Sequence, residues 1–313
     1  MSVTSSPAVP VTQPAITPRR QLVLGCLAAF SVTLIWATWL VASRTGAKSP
    51  LTPFDLAALR YGVSAIVALP IVLYYRPWRT MSVGRIATVS FLLGPQYILA
   101  VFFAFEFAPA AHGGVFMNGA LPAITLLISW VFLKDKPRTW QIVGVVLILS
   151  GAGFSAADGS VIDQQGVWIG DVLFVVAAIF FAGYVVLGRL WSVSATQVLL
   201  CSSIVNGVYF VPLWYFFLPS GIAEASTQQL LIQTLYQGLI PGLIGLLLVA
   251  YASRNAGPAV TAAFMAAVPA LGTLLGIAFL GEIPGFIGWL GLVVLTPGII
   301  LVACFSGRKQ RVS

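Results

Sequence analysis

Charged side chains are almost missing from this 313-residue chain: Asp, Glu, Lys and Arg together make up 8% of it, against roughly a quarter in a soluble globular domain. That shortage excludes a soluble enzyme and a disordered protein, both of which need a charged, hydrated surface. Cysteine occurs 3 times, too rarely for a disulfide scaffold. Histidine occurs once, at His112, with no Cys or carboxylate at ligand spacing beside it, so no metal site is expected. What the chain does contain is apolar surface, with 59% hydrophobic residues and a mean hydropathy of +0.99. Its charges are unbalanced, 16 basic against 8 acidic for a formal +8. In a soluble protein that excess would suggest a nucleic-acid surface; here its meaning depends on where the charges fall.

A membrane-crossing helix needs about 20 mostly apolar residues, because the hydrocarbon is roughly 30 Å thick. Ten stretches qualify: 22–43, 54–75, 86–107, 114–133, 139–156, 167–190, 195–218, 228–251, 256–280 and 285–306. The connections left between them are too short for another domain. Residues 1–18, with Pro7, Pro10, Pro14 and Pro18 and no charge, read as a disordered lead. Arg19 and Arg20 before an apolar run resemble a secretory or twin-arginine signal, but the run is longer than a signal core and no clean cleavage site follows.

Lys and Arg accumulate on cytoplasmic loops. With the N-terminus inside, Arg19, Arg20, Arg76, Arg79, Arg85, Lys134, Lys136, Arg138, Arg189, Arg254, Arg308, Lys309 and Arg311 share one side, and only Arg44 and Lys48 lie on the other. Asp158, Asp163, Glu224 and Glu282 fall on the second side, Asp135 on the first. Both termini are therefore expected in the cytoplasm.

The chain repeats itself. Ala120, Pro122, Ala123, Leu127, Phe132, Leu133, Pro137, Gly144, Val146 and Gly151 recur 147 positions later as Ala267, Pro269, Ala270, Leu274, Phe279, Leu280, Pro284, Gly291, Val293 and Gly298. Slightly shorter offsets pair Pro95 with Pro241, Pro70 with Pro212, and Trp39 with Tyr184. Spans 1–5 thus recur as 6–10, and five is odd, so the second copy sits upside down. The charges agree: Lys134, Asp135, Lys136 and Arg138 in the first copy become Gly281, Glu282, Ile283 and Gly285 in the second. The expected fold is all-α and polytopic, ten transmembrane helices in two inverted five-helix repeats, 19–156 and 167–306, followed by a basic cytoplasmic tail at 307–313. Inverted repeats of this kind build alternating-access carriers.

The Trp36-Ala37 pair, Ala120-Leu-Pro-Ala followed by Phe132-Leu133-Lys-Asp, and the copies Ala267-Val-Pro-Ala and Phe279-Leu280-Gly-Glu resemble the drug/metabolite transporter superfamily, EamA branch. The resemblance covers residues 20–306. In overall texture the chain is most similar to bacterial exporters of aromatic and other neutral amino acids. The family implies a multi-pass protein of the bacterial inner membrane.

Within lipid, polar groups placed in spans are the informative ones. Gln96 and Tyr97 follow Pro95, Asn118 lies one helical turn before Pro122, and Gln237 lies one turn before Pro241. Loosened helices at matching places in two halves point to a carrier's site. Trp36, Trp39 and Tyr184 occupy repeat-related turns, where aromatic faces suit a ring or an ammonium group. The expected substrate-binding set is Trp36, Trp39, Gln96, Tyr97, Asn118, Tyr184 and Gln237, with hinges at Pro95, Pro122, Pro241 and Pro269; packing and helix–helix bonding are the competing explanations. Trp78, Trp140, Trp168 and Trp191 read as interface anchors. Arg60 is the one cation within a span, expected to serve a structural pair or an outer gate, with Asp55 five residues earlier a poor one-turn partner. Glu106 and Asp171 are the carboxylates available for proton coupling. His112 is expected to be a solvated loop residue, and Cys26, Cys201 and Cys304 to be apolar fillers.

These features point to a secondary transporter exporting small neutral or zwitterionic metabolites, aromatic amino acids included, with no cofactor, metal or nucleic acid. Its expected partners are a small-molecule substrate and the bilayer, and it is expected to be a monomer or weak oligomer. An exporter of planar aromatic cations is the alternative, and a polytopic membrane enzyme a more distant one. Charged substrates are disfavoured by the near absence of charge along the expected path.

Overall fold

The computed structural model describes residues 19–158 and 166–304. The N-terminal lead, the connection carrying Asp163 and the basic tail lie outside the described residues. Among the described residues, ten helices are long and apolar enough to cross a membrane: α1 (Arg19–Ala47), α2 (Pro53–Tyr75), α3 (Val83–Phe107), α4 (Ala110–Leu133), α5 (Thr139–Ala156), α6 (Val167–Leu190), α7 (Ala195–Phe217), α8 (Thr227–Asn255), α9 (Pro258–Leu280) and α10 (Phe286–Cys304). No strand occurs among the described residues.

Local chemistry sets where several of these helices begin and end. Before α2 the Thr52 hydroxyl accepts the Asp55 N–H while Asp55 accepts the Thr52 N–H, and Pro53 supplies a φ already suited to a first turn. Ser194 with Gln197, and Ser226 with Gln229, build the same reciprocal cap before α7 and α8. Helix α4 stops at Lys134 and α9 at Gly281, both left-handed, with φ of 58° and 66°. These two positions are repeat mates, and only the glycine adopts that conformation without strain.

The packing carries the symmetry of an inverted repeat. α1 packs on α8 and α9, and its mate α6 packs on α3 and α4; α2 packs on its own mate α7, and α5 on its own mate α10. The last contact is reciprocal in detail. A methyl group added at Gly144 would lie 2.8 Å from the Gly298 carbonyl oxygen, and one at Gly151 would lie 2.6 Å from that of Gly291. Exchanging each residue for its mate 147 positions away turns the first contact into the second. Contacts whose numbers rise on one helix as they fall on the other also make α5 and α10 antiparallel. Small residues let the two backbones touch, the usual source of cohesion between helices where no water drives association.

Five of the helices are interrupted within their length. α3 breaks at Leu93–Gly94 before Pro95, and α9 at Ala266–Ala267 before Pro269. α4 carries a wide-turn segment over Gly113–Gly119 that ends just before Pro122, α8 one over Ile240–Ile244 containing Pro241, and α7 one over Leu200–Val205. Four of these interruptions fall at the prolines singled out by the repeat. Backbone groups freed from helical bonding are tolerated at such depth where they face protein or a cavity.

One end of the bundle carries Arg19, Arg76, Arg79, Arg85, Lys134, Lys136, Arg138, Arg189 and Arg254, and is called the basic face. The other carries Arg44, Lys48, Asp158 and Glu282. Between the cavity described below and this opposite face lies a buried layer that includes Leu40, Ile98, Val101, Phe102, Phe105 and Phe174.

Candidate functional site

A cavity opens at the seam between the two repeats, walled by α1, α2, α3, α4, α6, α7 and α8. Its empty volume, mouth and adjoining solvent included, is about 1090 Å³. Its aromatic walls are Trp36, Trp39, Tyr61, Tyr97, Phe181 and Tyr184; its polar groups include Arg60, Ser64, Asn118, Ser202 and Gln237. The lining runs from mid-helix toward the basic face, through Tyr184 near the end of α6, Leu199 near the start of α7 and Leu246 in the second half of α8. Of the residues expected to meet substrate, Trp36, Trp39, Tyr97, Asn118, Tyr184 and Gln237 all line this space.

Gln96 does not. Its side-chain amide turns back and donates to the Phe91 carbonyl, one of the acceptors released where Pro95 interrupts α3. The expectation of a cavity-facing glutamine is therefore corrected: the residue repairs the break that made it conspicuous.

Trp39 is held by a buried amide ladder. Its indole N–H donates to Gln237 Oε1 at 2.8 Å. Gln237 Nε2 donates to Gln233 Oε1 at 2.9 Å and to Ser43 Oγ at 3.2 Å, and Gln233 Nε2 to the Ala42 carbonyl at 2.8 Å. With both glutamines at most 2% exposed, the chain joins α1 of the first repeat to α8 of the second and fixes the Trp39 ring at the cavity wall.

Over that ring sits Arg60, its guanidinium carbon 5.9 Å from the ring centroid. The expected structural pair is absent among the described residues. Asp55 faces elsewhere: its Oδ1 accepts the Trp214 indole N–H at 2.8 Å, and its Oδ2 accepts the Gly221 N–H at 2.8 Å and the Thr52 N–H at 2.9 Å. Arg60 thus belongs to the cavity, and the expectation of a path almost free of charge is corrected with it. The sequence displayed this cation but gave no sign of its direction, which follows from how α2 is rotated against α7 and α8.

The opposite face is closed by an ion cluster between the repeats. Glu282, on the α9–α10 connection, accepts from Arg44 Nε at 2.7 Å, Lys48 Nζ at 3.1 Å and the Ala110 N–H at 2.9 Å. Arg44 also donates to the Phe105 carbonyl. Burial pushes the Glu282 carboxyl up, but the Ala110 N–H and the Arg44 and Lys48 cations outweigh it and hold the group below the ordinary glutamate value. Nearby, Asp158 Oδ2 accepts the Gly285 N–H at 2.7 Å.

His112 is not the solvated loop residue expected. α4 begins earlier than its hydropathy suggested, at Ala110, and draws the imidazole inward, where it is 4% exposed. Its Nδ1 lies 2.7 Å from Asp171 Oδ1 of α6. Glu106, the other carboxylate considered for protons, is exposed and lines neither the central cavity nor a second cavity on the opposite face, which is lined by Arg44, His112 and Glu282 among others. Among the cysteines, Cys201 is buried but Cys304 is exposed, so apolar filling describes only part of the set. Trp78, Trp140 and Trp168 are exposed at helix ends, as interface anchors should be.

Comparison with known proteins agrees with this architecture. Residues 23–157 and 168–304 each match the EamA-like transporter family. A relative in Bacillus subtilis, named "Uncharacterized transporter YwfM", is 27% identical over 207 residues, 64% of this chain and 67% of that protein. A second, in Streptantibioticus cattleyicolor, named "Probable terminal-alkyne amino-acid exporter", is 26% identical over 198 residues, 61% of this chain and 64% of that protein. A solved crystal structure shares the fold with a TM-score of 0.59 at 19% identity, over 88% of this chain and 95% of that one.

Proposed function

From the premise that this chain belongs to the EamA-like transporter family and is a multi-pass membrane transporter, we propose that it exports small neutral or zwitterionic metabolites, amino acids with aromatic side chains among them. The observation that carries this reading is the cavity at the repeat seam, which offers aromatic walls to a ring and amide, hydroxyl and guanidinium groups to a polar end. The amino-acid exporter among its relatives supports the substrate class. We take the basic face as the cytoplasmic one from the distribution of Lys and Arg, with both termini in the cytoplasm and the cavity lining running toward it. The natural setting is a bacterial inner membrane, where the protein works as a monomer or weak oligomer.

Transport proceeds by rocking of the inverted halves about the interrupted helices, with Pro95, Pro122, Pro241 and Pro269 marking the hinges. Binding falls to Trp36, Trp39, Tyr97, Asn118, Tyr184 and Gln237. Asp171, paired with His112, is the stronger of the two carboxylates considered for proton coupling, because protonation of either partner would alter a buried contact between α4 and α6. The protein acts as a carrier and not as an enzyme, in keeping with its family. Planar organic cations fit the aromatic walls but meet Arg60, which repels them.

Counterflow in proteoliposomes with a panel of labelled amino acids, with and without a proton gradient, tests the reading. Saturable exchange of aromatic or other neutral amino acids is expected. Flux of planar dyes that amino acids do not compete with would overturn the substrate class.

A further inference from the structure

The central cavity holds a cation and no anion. Asp55, Glu106, Asp135, Asp158, Asp171, Glu224 and Glu282, the described carboxylates, are all absent from its lining. Arg60 makes no hydrogen bond or ion pair among the described residues, although a guanidinium carries five N–H donors and is not deprotonated in proteins. The Trp39 face takes part of the cationic charge and leaves those donors free. An intramembrane cation without a counter-ion is costly, and this one is aimed at the space where a ligand enters.

We propose that Arg60 is the carboxylate receptor of the central site: transported molecules dock a carboxylate on its guanidinium and lay their remaining bulk against Trp36, Tyr97 and Tyr184. The inference deepens the reading above and rests on it for the position of the site. It makes the carboxylate, not the amine or the ring, the group every substrate must carry.

The test is counterflow of three labelled compounds sharing one ring: phenylalanine, 3-phenylpropionate without the amine, and phenethylamine without the carboxylate. Wild-type protein is expected to exchange phenylalanine and exclude phenethylamine. Arg60→Gln is expected to raise the apparent KM for phenylalanine about 10- to 100-fold, the range for loss of a charge-assisted hydrogen bond in a desolvated site. Arg60→Lys, which keeps the charge and loses the fork, should recover part of that loss. Phenylalanine flux indifferent to Arg60→Gln, or phenethylamine flux equal to that of phenylalanine, overturns the assignment while leaving an amino-acid carrier. Phenylpropionate flux that needs Arg60, with no amino-acid flux, upholds the assignment and overturns the amino-acid reading. Saturable flux of neither carboxylate overturns both.

A second inference rests on different residues. The offset that pairs Trp39 with Tyr184 also pairs Arg44 with Arg189, and the 147-residue offset pairs Glu282 with Asp135. The closed pair Arg44–Glu282 on the opposite face therefore has a symmetry mate, Arg189–Asp135, on the basic face. There both side chains are exposed and form no ion pair among the described residues. We infer that the two pairs are alternative gates, Arg189–Asp135 closing as Arg44–Glu282 opens. With Cys26, Cys201 and Cys304 replaced, the modification rate of Val115→Cys, buried at 1% exposure in the wall of the cavity beside Glu282, reports opening of the opposite face. Single reversals Asp135→Arg and Arg189→Asp are each expected to lower that rate several-fold, and the double reversal to restore it. Independent, additive effects would overturn the exchange.

Discussion

Replacing Glu282 by Gln tests whether the opposite-face cluster holds that face shut. The Arg44 and Glu282 side chains are 5% and 13% exposed, whereas Lys48 is 50% exposed. The Lys48 contact is therefore worth about 0–1 kcal/mol, and breaking the buried pair is expected to cost up to about 3–5 kcal/mol. Glutamine keeps an acceptor for the Ala110 N–H, and Arg44 keeps the Phe105 carbonyl, so the loss falls to about 2–3 kcal/mol. That is a factor of roughly 30–150 in the closed-to-open ratio. A protein resting about 99% closed would become about 40–80% closed. The Val115→Cys reporter should then react about 20- to 60-fold faster. A change below about threefold would refute the claim that this cluster, and not the apolar layer beneath it, carries the closure.

Acidification supplies the same perturbation without a mutation. The Glu282 carboxyl is held low in the closed protein, so its contribution is complete above the ordinary value of 4.5 and is lost only as pH falls through its own, lower one. Opening followed by a spin-label distance between the ends of α1 and α9 should be flat at neutral pH and rise only in strong acid. A transition at neutral pH would refute the assignment of control to Glu282.

Asp55→Ala removes the acceptor of three N–H groups, from Thr52, Trp214 and Gly221; thermal unfolding in detergent should show a loss of about 3 kcal/mol. Gly151→Ala places a methyl group 2.6 Å from the Gly291 carbonyl and should cost about 1–3 kcal/mol, whereas Gly153→Ala, which meets nothing within 4 Å, should be tolerated. Lys134→Gly relieves a left-handed lysine that its mate Gly281 avoids and should stabilise the protein by about 1 kcal/mol, read as a rise in unfolding temperature. Opposite signs for the glycine pair, or a destabilised Lys134→Gly, would refute the respective packing and backbone arguments.

Much of the fold was legible in one dimension. Long apolar runs, short connections and a one-sided distribution of cations suffice for ten spans, because lipid forces each segment to satisfy its own backbone. Proline and glycine recurring at a fixed offset disclosed the repeat. The same residues mark the helix interruptions and the α5–α10 crossing, since those two residue types act through the backbone, which the repeat preserves. The aromatic candidates were legible for a similar reason, as Trp36, Trp39 and Tyr184 sit on equivalent turns of repeat-related helices.

Direction was not legible. A helix in lipid can bury or expose any face, so the rotation of α2 that turns Arg60 into the cavity, and the local turn that diverts Gln96 to the Phe91 carbonyl, leave no periodic trace. Nor do the meetings of distant residues: Arg44 with Glu282, His112 with Asp171, and Asp55 with Trp214 span 238, 59 and 159 positions. By itself the sequence determined the number of crossings, their alternation and the inversion of the halves, all properties of hydrophobic length and charge counted along a line. Only the tertiary structure decided which charges meet and which one is left facing the substrate, because a counter-ion is chosen by a few ångströms of packing and not by order in the chain.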